Sequence, residues 1–250
     1  MNRTVLVAAL LALSPALAEE GRTRLALLGA VHGNHLDSEA WGVDDVVARV
    51  RAFRPEVVLV EIPPDLYGEI LARVDRTGFA TTRDDVADVT WIRAFPELYA
   101  GVLPLRKEMG FEVVPVSGWT PEASRDRDRF WKGPGREAPY PDRRRVYDAV
   151  RDALREIQER ENVYENPDFV NSRHYADLRH LERAAWAAAF DEGLGAGGER
   201  AINEAHWNHV AKALDAHRGK RVLLLYGAAH HYWFRRELAK RPDVELVPAR

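Results

Sequence analysis

Five short apolar runs punctuate the chain: Arg24–Gly29, Val57–Glu61, Phe111–Val116, Arg221–Gly227 and Val244–Pro248. Between them the apolar residues recur at helical spacing. Val43, Val46, Val47, Val50 and Phe53 mark one helix, stopped by Pro55 before the second run;. Residues 65–109 read as mainly helical, divided by Pro96 and Pro104;. Helical periods return over Arg144–Arg160, Tyr175–Glu192, Glu199–His217 and Tyr232–Lys240. Pro121–Asp142 shows no period, mixing charge with proline, glycine and aromatics, and reads as a solvated excursion or lid;. Near-continuous apolar strands alternating with helices predict an α/β fold: a central, mostly parallel sheet with flanking helices and a large helical insertion over about residues 119–198;.

At 250 residues, 46% hydrophobic and 30% charged, the chain suits one domain with an ordinary core;. Residues 1–18 differ in kind. Arg3 precedes an apolar run from Val5 to Leu13, then Pro15 and the small-residue ending Ala16-Leu17-Ala18, which is the form of a cleaved signal peptide;. The run is shorter than the roughly 20 residues needed to span a bilayer, so no stable membrane anchor is expected. The expectation is an exported chain, periplasmic or secreted, with its single domain over 19–250. The absence of cysteine excludes disulfides and a lipid-bearing cysteine;. A formal net charge of -3 gives no reason to expect a nucleic-acid partner;. The basic residues of 125–145 are interleaved with acids, as on a solvated face;.

Two of the runs end alike. Leu25–His35 closes as Gly29-Ala30-Val31-His32-Gly33-Asn34-His35, and Leu223–His231 closes as Gly227-Ala228-Ala229-His230-His231. Burial alone gives no reason for a titratable histidine at the same place after two strands, although each could satisfy a buried polar contact. Glu61 likewise interrupts an apolar strand just before Pro63-Pro64, either at the sheet's mouth or in a structural ion pair;. If the strands are parallel, His32, Glu61 and His230 emerge at one carboxyl edge, where α/β proteins bind ligands. A helix of about 18 residues descends roughly 27 Å and the next strand climbs back about 23 Å. That arithmetic returns Arg200 and Asn203 to the edge of His230, with Asn203 heading the otherwise apolar stripe of Trp207, Val210 and Leu214.

Gly29-Ala30-Val31-His32, Val60-Glu61 ahead of Pro63-Pro64, Glu199-Arg200 with Asn203, and Gly227-Ala228-Ala229-His230 together resemble the TraB/PrgY, Tiki, ChaN and erythromycin-esterase superfamily. The resemblance covers about a third of the chain in two blocks. It implies a metal-dependent protease, an esterase activating water with His and Glu, or a haem-binding protein.

Two chemistries suit the residues. His32, Glu61 and His230 could hold Mn, Co or Zn with an open position for water, whose pKa falls from about 15.7 toward 7 on zinc. Alternatively Glu61 or His32 acts as general base without metal, while Arg200 stabilises the oxyanion. His35, Glu199 and His231 are accessory candidates. The expected substrate is a small molecule or peptide, cleaved at an ester or amide. A haem- or metal-binding protein without turnover is the alternative, and the oligomeric state is left open. None of Ser14, Ser38, Ser117, Ser124 and Ser172 sits in a Gly-X-Ser-X-Gly elbow, and no GxGxxG or P-loop occurs;.

Overall fold

The computed structural model describes residues 21–78, 81–87, 89 and 91–249. The signal-peptide expectation for 1–18 lies outside the described residues. Among them, no helix is long and apolar enough to cross a membrane.

Five parallel strands form one sheet in the order β3-β2-β4-β1-β5: β1 Thr23–Ala30, β2 Val57–Val60, β3 Glu112–Pro115, β4 Arg221–Gly227 and β5 Val244–Val247. The fold is the expected α/β one. β1 and β2 are parallel but not neighbours, because β4 is inserted between them, pairing Leu28 with Leu225 on one side and Val60 with Leu225 on the other. The chain winds from β1 through β2 to β3 in one direction, then through β4 to β5 in the other. The reversal puts a crevice at the carboxyl ends of β2, β4 and β1.

Alternation along these apolar strands assigns their side chains to two helical layers. Ala26, Leu28, Val58, Val60, Leu223 and Leu225 face helices α1 (Val43–Phe53), α2 (Tyr67–Thr77), a π-helical turn (Glu97–Val102) and α3 (Leu103–Met109). Leu25, Leu27, Val57, Leu59, Leu224 and Tyr226 face the opposite layer, described below.

The insertion is helical throughout its main length: α4 Pro121–Lys132, α5 Tyr140–Arg160, a short α6 Pro167–Val170 and α7 Arg173–Leu194. The aperiodic excursion expected over Pro121–Asp142 is therefore corrected. The Ala123 N–H donates to the Thr120 hydroxyl, and Pro121 occupies the first turn, so this helix starts on a cap rather than on an apolar stripe;. It buries only Ala123 and Phe130, and Phe130 packs with Tyr147, Phe190 and Leu194 in a separate small core. Helix α8, Glu199–Ala216, and α9, His231–Leu238, supply the layer facing Leu25 and Leu224 through Val210, Leu214, Trp233 and Phe234.

Candidate functional site

His32, Glu61 and Gly227 meet where β1, β2 and β4 end. Glu61 follows the last residue of β2, and its buried carboxylate accepts the Gly227 N–H through Oε2 at 2.7 Å. His32 is two residues past β1, in the left-handed region at φ 53°. A non-glycine residue held there is locally strained, a condition that collects at functional sites. Its ring reaches across the end of β4: Nε2 stands 3.7 Å from Glu61 Oε2, and Nδ1 lies 2.9 Å from Oε1 of Glu97. A Cβ at position 227 would sit 2.6 Å from His32 Nε2 and 3.1 Å from Glu61 Oε2. The glycine is thus the space in which the pair meets.

Electrostatics follow from that geometry. Burial works to lower the His32 pKa, but the carboxylates of Glu97 and Glu61 overcome it and raise it to about 9. Burial pushes the Glu61 carboxyl up to about 7, against His32 and the Gly227 N–H, which favour its ionised form;. Near neutral pH, His32 is an imidazolium between two acids. Its side chain is 33% exposed, whereas those of Glu61 and Glu97 are 10% and 2% exposed, so solvent reaches the cluster through the histidine.

His230 is held differently. Its Nδ1 lies 2.8 Å from Asn203 Oδ1, and the Asn203 amide nitrogen donates to the Glu199 backbone carbonyl and to Glu199 Oε1, both at 2.8 Å. With Oδ1 thereby assigned as the acceptor, His230 carries its proton on Nδ1 and presents a lone pair at Nε2. Burial, with His206 and Arg183 nearby, holds its pKa well below the ordinary value. The Tyr232 hydroxyl donates to Glu199 Oε1 at 2.9 Å, and Arg183 stands 3.4 Å from Glu199 Oε2.

A cavity of about 250 Å³ lies between Glu61, the carboxylate that His32 faces, and His230, lined also by His206, Arg127, Arg183 and Glu199 among others. His206 accepts the Gly118 N–H on Nδ1 at 2.8 Å, and burial lowers its pKa to about 3. A neutral ring accepting on Nδ1 bears its proton on Nε2, so His206 is a donor where His230 is an acceptor. Gly118 permits this contact, since a Cβ there would lie 2.4 Å from the Ala205 carbonyl carbon. The Arg127 guanidinium donates to the Gly197 carbonyl at 2.6 Å and lies 4.7 Å from the Trp119 ring centre.

The structure therefore brings together His32 with Glu61, and Asn203 and Glu199 with His230. Arg200 is not with them: it is exposed, its side chain outside the cavity's lining and its backbone N–H bound to Asp191 at 3.0 Å. The helix-length arithmetic returned its turn to the right edge but not its side chain to the right face. Arg127 and Arg183, both from the insertion, stand in its place. His35 is a framework residue, accepting the Val31 N–H at 3.1 Å and lying 2.6 Å from the Trp41 carbonyl. His231 is fully buried beneath Gly29, and burial lowers its pKa to about 3. Glu97, Arg183 and His206 escaped the sequence reading, and Arg127 was read there as part of a solvated basic face. Only His206 left a signal, being one helical turn from Asn203.

Among the described residues, no group of three or more His, Asp or Glu side chains is arranged to hold a metal ion. The chain matches no protein-family model, no curated protein and no solved structure.

Proposed function

We propose that this protein is a hydrolase of peptide or ester bonds in which Glu61 activates water and His32, Arg127 and Arg183 stabilise the developing oxyanion. The observation that carries this reading is the Glu61 carboxylate: buried, raised to about 7, beside a cationic imidazole, and opening on a cavity with two arginines. A general base works best when its pKa lies near the operating pH, which suits Glu61 and disfavours His230. Glu61 removes a proton from water as the water attacks the carbonyl carbon. Negative charge gathers on the carbonyl oxygen, where His32 and the arginines lower its energy. Glu61 then returns the proton to the leaving oxygen or nitrogen. The resemblance to water-activating His and Glu hydrolases agrees with this chemistry.

Glu97 and Asn203 both engage Nδ1, leaving Nε2 as the uncommitted ring nitrogen, which is how metal-bound histidines are oriented by their partners;. Glu61 Oε2, however, is already engaged by the Gly227 N–H and faces an imidazolium. As it stands this is an acid–base pair rather than a three-ligand cradle, so no step is routed through a metal. The cavity, below the roughly 300 Å³ at which small-molecule pockets begin, suits a scissile group better than a haem;.

A panel of chromogenic esters and peptides tests the reading, assayed after chelation and again with Mn, Co or Zn restored. Activity surviving chelation supports the acid–base mechanism, and activity returning only with metal replaces it by a metal-bound one. His32→Ala and Glu61→Ala should each abolish turnover, with the double replacement costing little more, and His230→Ala, which removes a neutral ring from the cavity wall, should lower it;. Retained activity with additive stability losses would defeat it. Export is part of the proposal, and a secreted or periplasmic product beginning near Glu19 by mass spectrometry is the expected result.

A further inference from the structure

A second cavity, of about 1060 Å³, opens between α7, α8 and α9 on the far side of two residues that it shares with the first, Arg183 and Glu199. Their 3.4 Å ion pair is the partition. The small cavity holds little more than a scissile group, while the larger one exceeds the usual 300–1,000 Å³ of small-molecule sites. We propose that the two are one substrate path, with the larger groove taking an extended stretch of polypeptide whose scissile carbonyl enters the smaller cavity past Arg183 and Glu199. This rests on the hydrolase reading and names its substrate class.

The lining favours a peptide over an acyl chain. One wall is of small side chains, Ala184, Ala187 and Ala188 of α7 with Ala201 of α8, against which a backbone can lie closely. Part-exposed Tyr232 and Trp207 also line the groove, while Trp233 is buried beneath the Arg236 guanidinium, 3.9 Å from its ring centre. Aromatic surfaces of this kind take apolar side chains, whereas an acyl chain would want a continuous apolar tunnel. The groove's charges are of both signs. Asp191 spends its carboxylate on the N–H groups of Glu199 and Arg200, and Glu237 is paired with Arg236 and Lys240. Arg200 and Glu204 make no side-chain ion pair or hydrogen bond with the described residues, and both are exposed at the groove. Such free, opposite charges suit a peptide carrying charged side chains, with Arg200 placed to take an acidic one. An occupant also touches Tyr232, whose hydroxyl bonds the carboxylate that fixes Asn203 and through it His230. Filling the groove and orienting the histidine thus act on one residue, Glu199.

The probe is a fluorescein-labelled decapeptide of alternating Leu and Glu, its binding to the full chain read by anisotropy beside hydrolysis of a short chromogenic ester. Binding by the wild type and by Glu61→Gln is expected, weakened about tenfold or more by Ala188→Trp, which fills the groove at an exposed helical position, and by Arg200→Glu, which reverses its free cation. Circular dichroism of both variants guards against misfolding, and Arg200→Glu keeps the test alive if Ala188→Trp fails to fold. Ester turnover lost in Glu61→Gln, together with peptide binding that is absent or indifferent to both groove variants, overturns the inference and leaves the hydrolase standing. Groove-dependent peptide binding with no turnover of any substrate upholds the groove and removes the hydrolase.

Discussion

His32 and His230 end strands with the same Gly-Ala-X-His sequence and are given opposite charge states by what lies behind them. Behind His32 is a carboxylate, Glu97, so the ring is a cation to about pH 9. Behind His230 is an amide, Asn203, whose oxygen fixes the proton on Nδ1 without adding charge, so burial prevails and the ring is neutral. The motif supplies a ring at the sheet edge, and the residue one contact further back decides whether that ring is an electrophile or a lone pair. Each prediction below attacks one side of this asymmetry.

The largest effect is expected at the carboxylate that the cation faces. Glu61→Gln keeps the side chain's shape and an oxygen for the Gly227 N–H but has no basic form near neutral pH. Turnover should fall by about 10²- to 10⁴-fold, the usual contribution of a general base, with folding intact by circular dichroism. A variant with more than a tenth of wild-type kcat would remove Glu61 from the mechanism. Next is Gly227→Ala, which puts a methyl group 2.6 Å from His32 Nε2. The ring must retreat, and misplacements of about 1 Å can cost about 100-fold in rate, alongside about 1–3 kcal/mol of overpacking. Undiminished kcat would show that the His32–Glu61 contact is not used.

The pH dependence carries the sign of the asymmetry. The competent form has Glu61 ionised and His32 protonated, so activity should rise through about pH 7 and fall through about pH 9, the two limbs belonging to the coupled cluster;. Stability runs the other way. Both folded-state pKa values lie above their unfolded ones. Glu61 therefore favours the fold fully below its unfolded pKa of about 4.5 and loses that contribution by about pH 7, and His32 loses its own between about 6.5 and 9;. Glu97→Gln removes the larger of the two charges that lift His32, leaving burial opposed by Glu61 alone. The alkaline limb should then move to lower pH by more than a unit, narrowing the optimum. An unmoved limb would show that Glu97 does not set the charge.

The legible part of this design was the part written as strand ends. Apolar runs halted by glycine and then histidine located His32 and His230, and one interrupted by an acid ahead of Pro63-Pro64 located Glu61, because a strand's direction in a parallel sheet determines the edge at which its last residue emerges. What lay behind them was not legible. Glu97 follows Phe95-Pro96 in a π-helical turn whose approach to His32 depends on packing 65 residues away, and no local pattern encodes it. Arg127 rides on a helix concealed by its charge and proline, and Arg183 on one whose apolar period marks the core face rather than the cavity. For Arg200, an axial position could be reckoned from helix length, but the rotation about the helix axis that turned it outward could not.

Asn203→Ala probes the neutral side, and its cost is the smallest. The amide is completely buried, and its removal leaves the His230 Nδ1–H without its partner, while the Glu199 carbonyl keeps the helical N–H of residue 203 and Glu199 Oε1 keeps the Tyr232 hydroxyl;. Orphaned buried polar groups cost about 1–3 kcal/mol, which a urea midpoint would show. The His230 ring is then free to change tautomer, and loss of an orienting partner costs about 10- to 100-fold in activity. The alkaline limb near pH 9 should stay where it is, because the charge of His32 is set at the other station. Glu97→Gln moves that limb and Asn203→Ala does not. If both variants move it, the two histidines titrate as one unit and the asymmetry between them is not what divides their work.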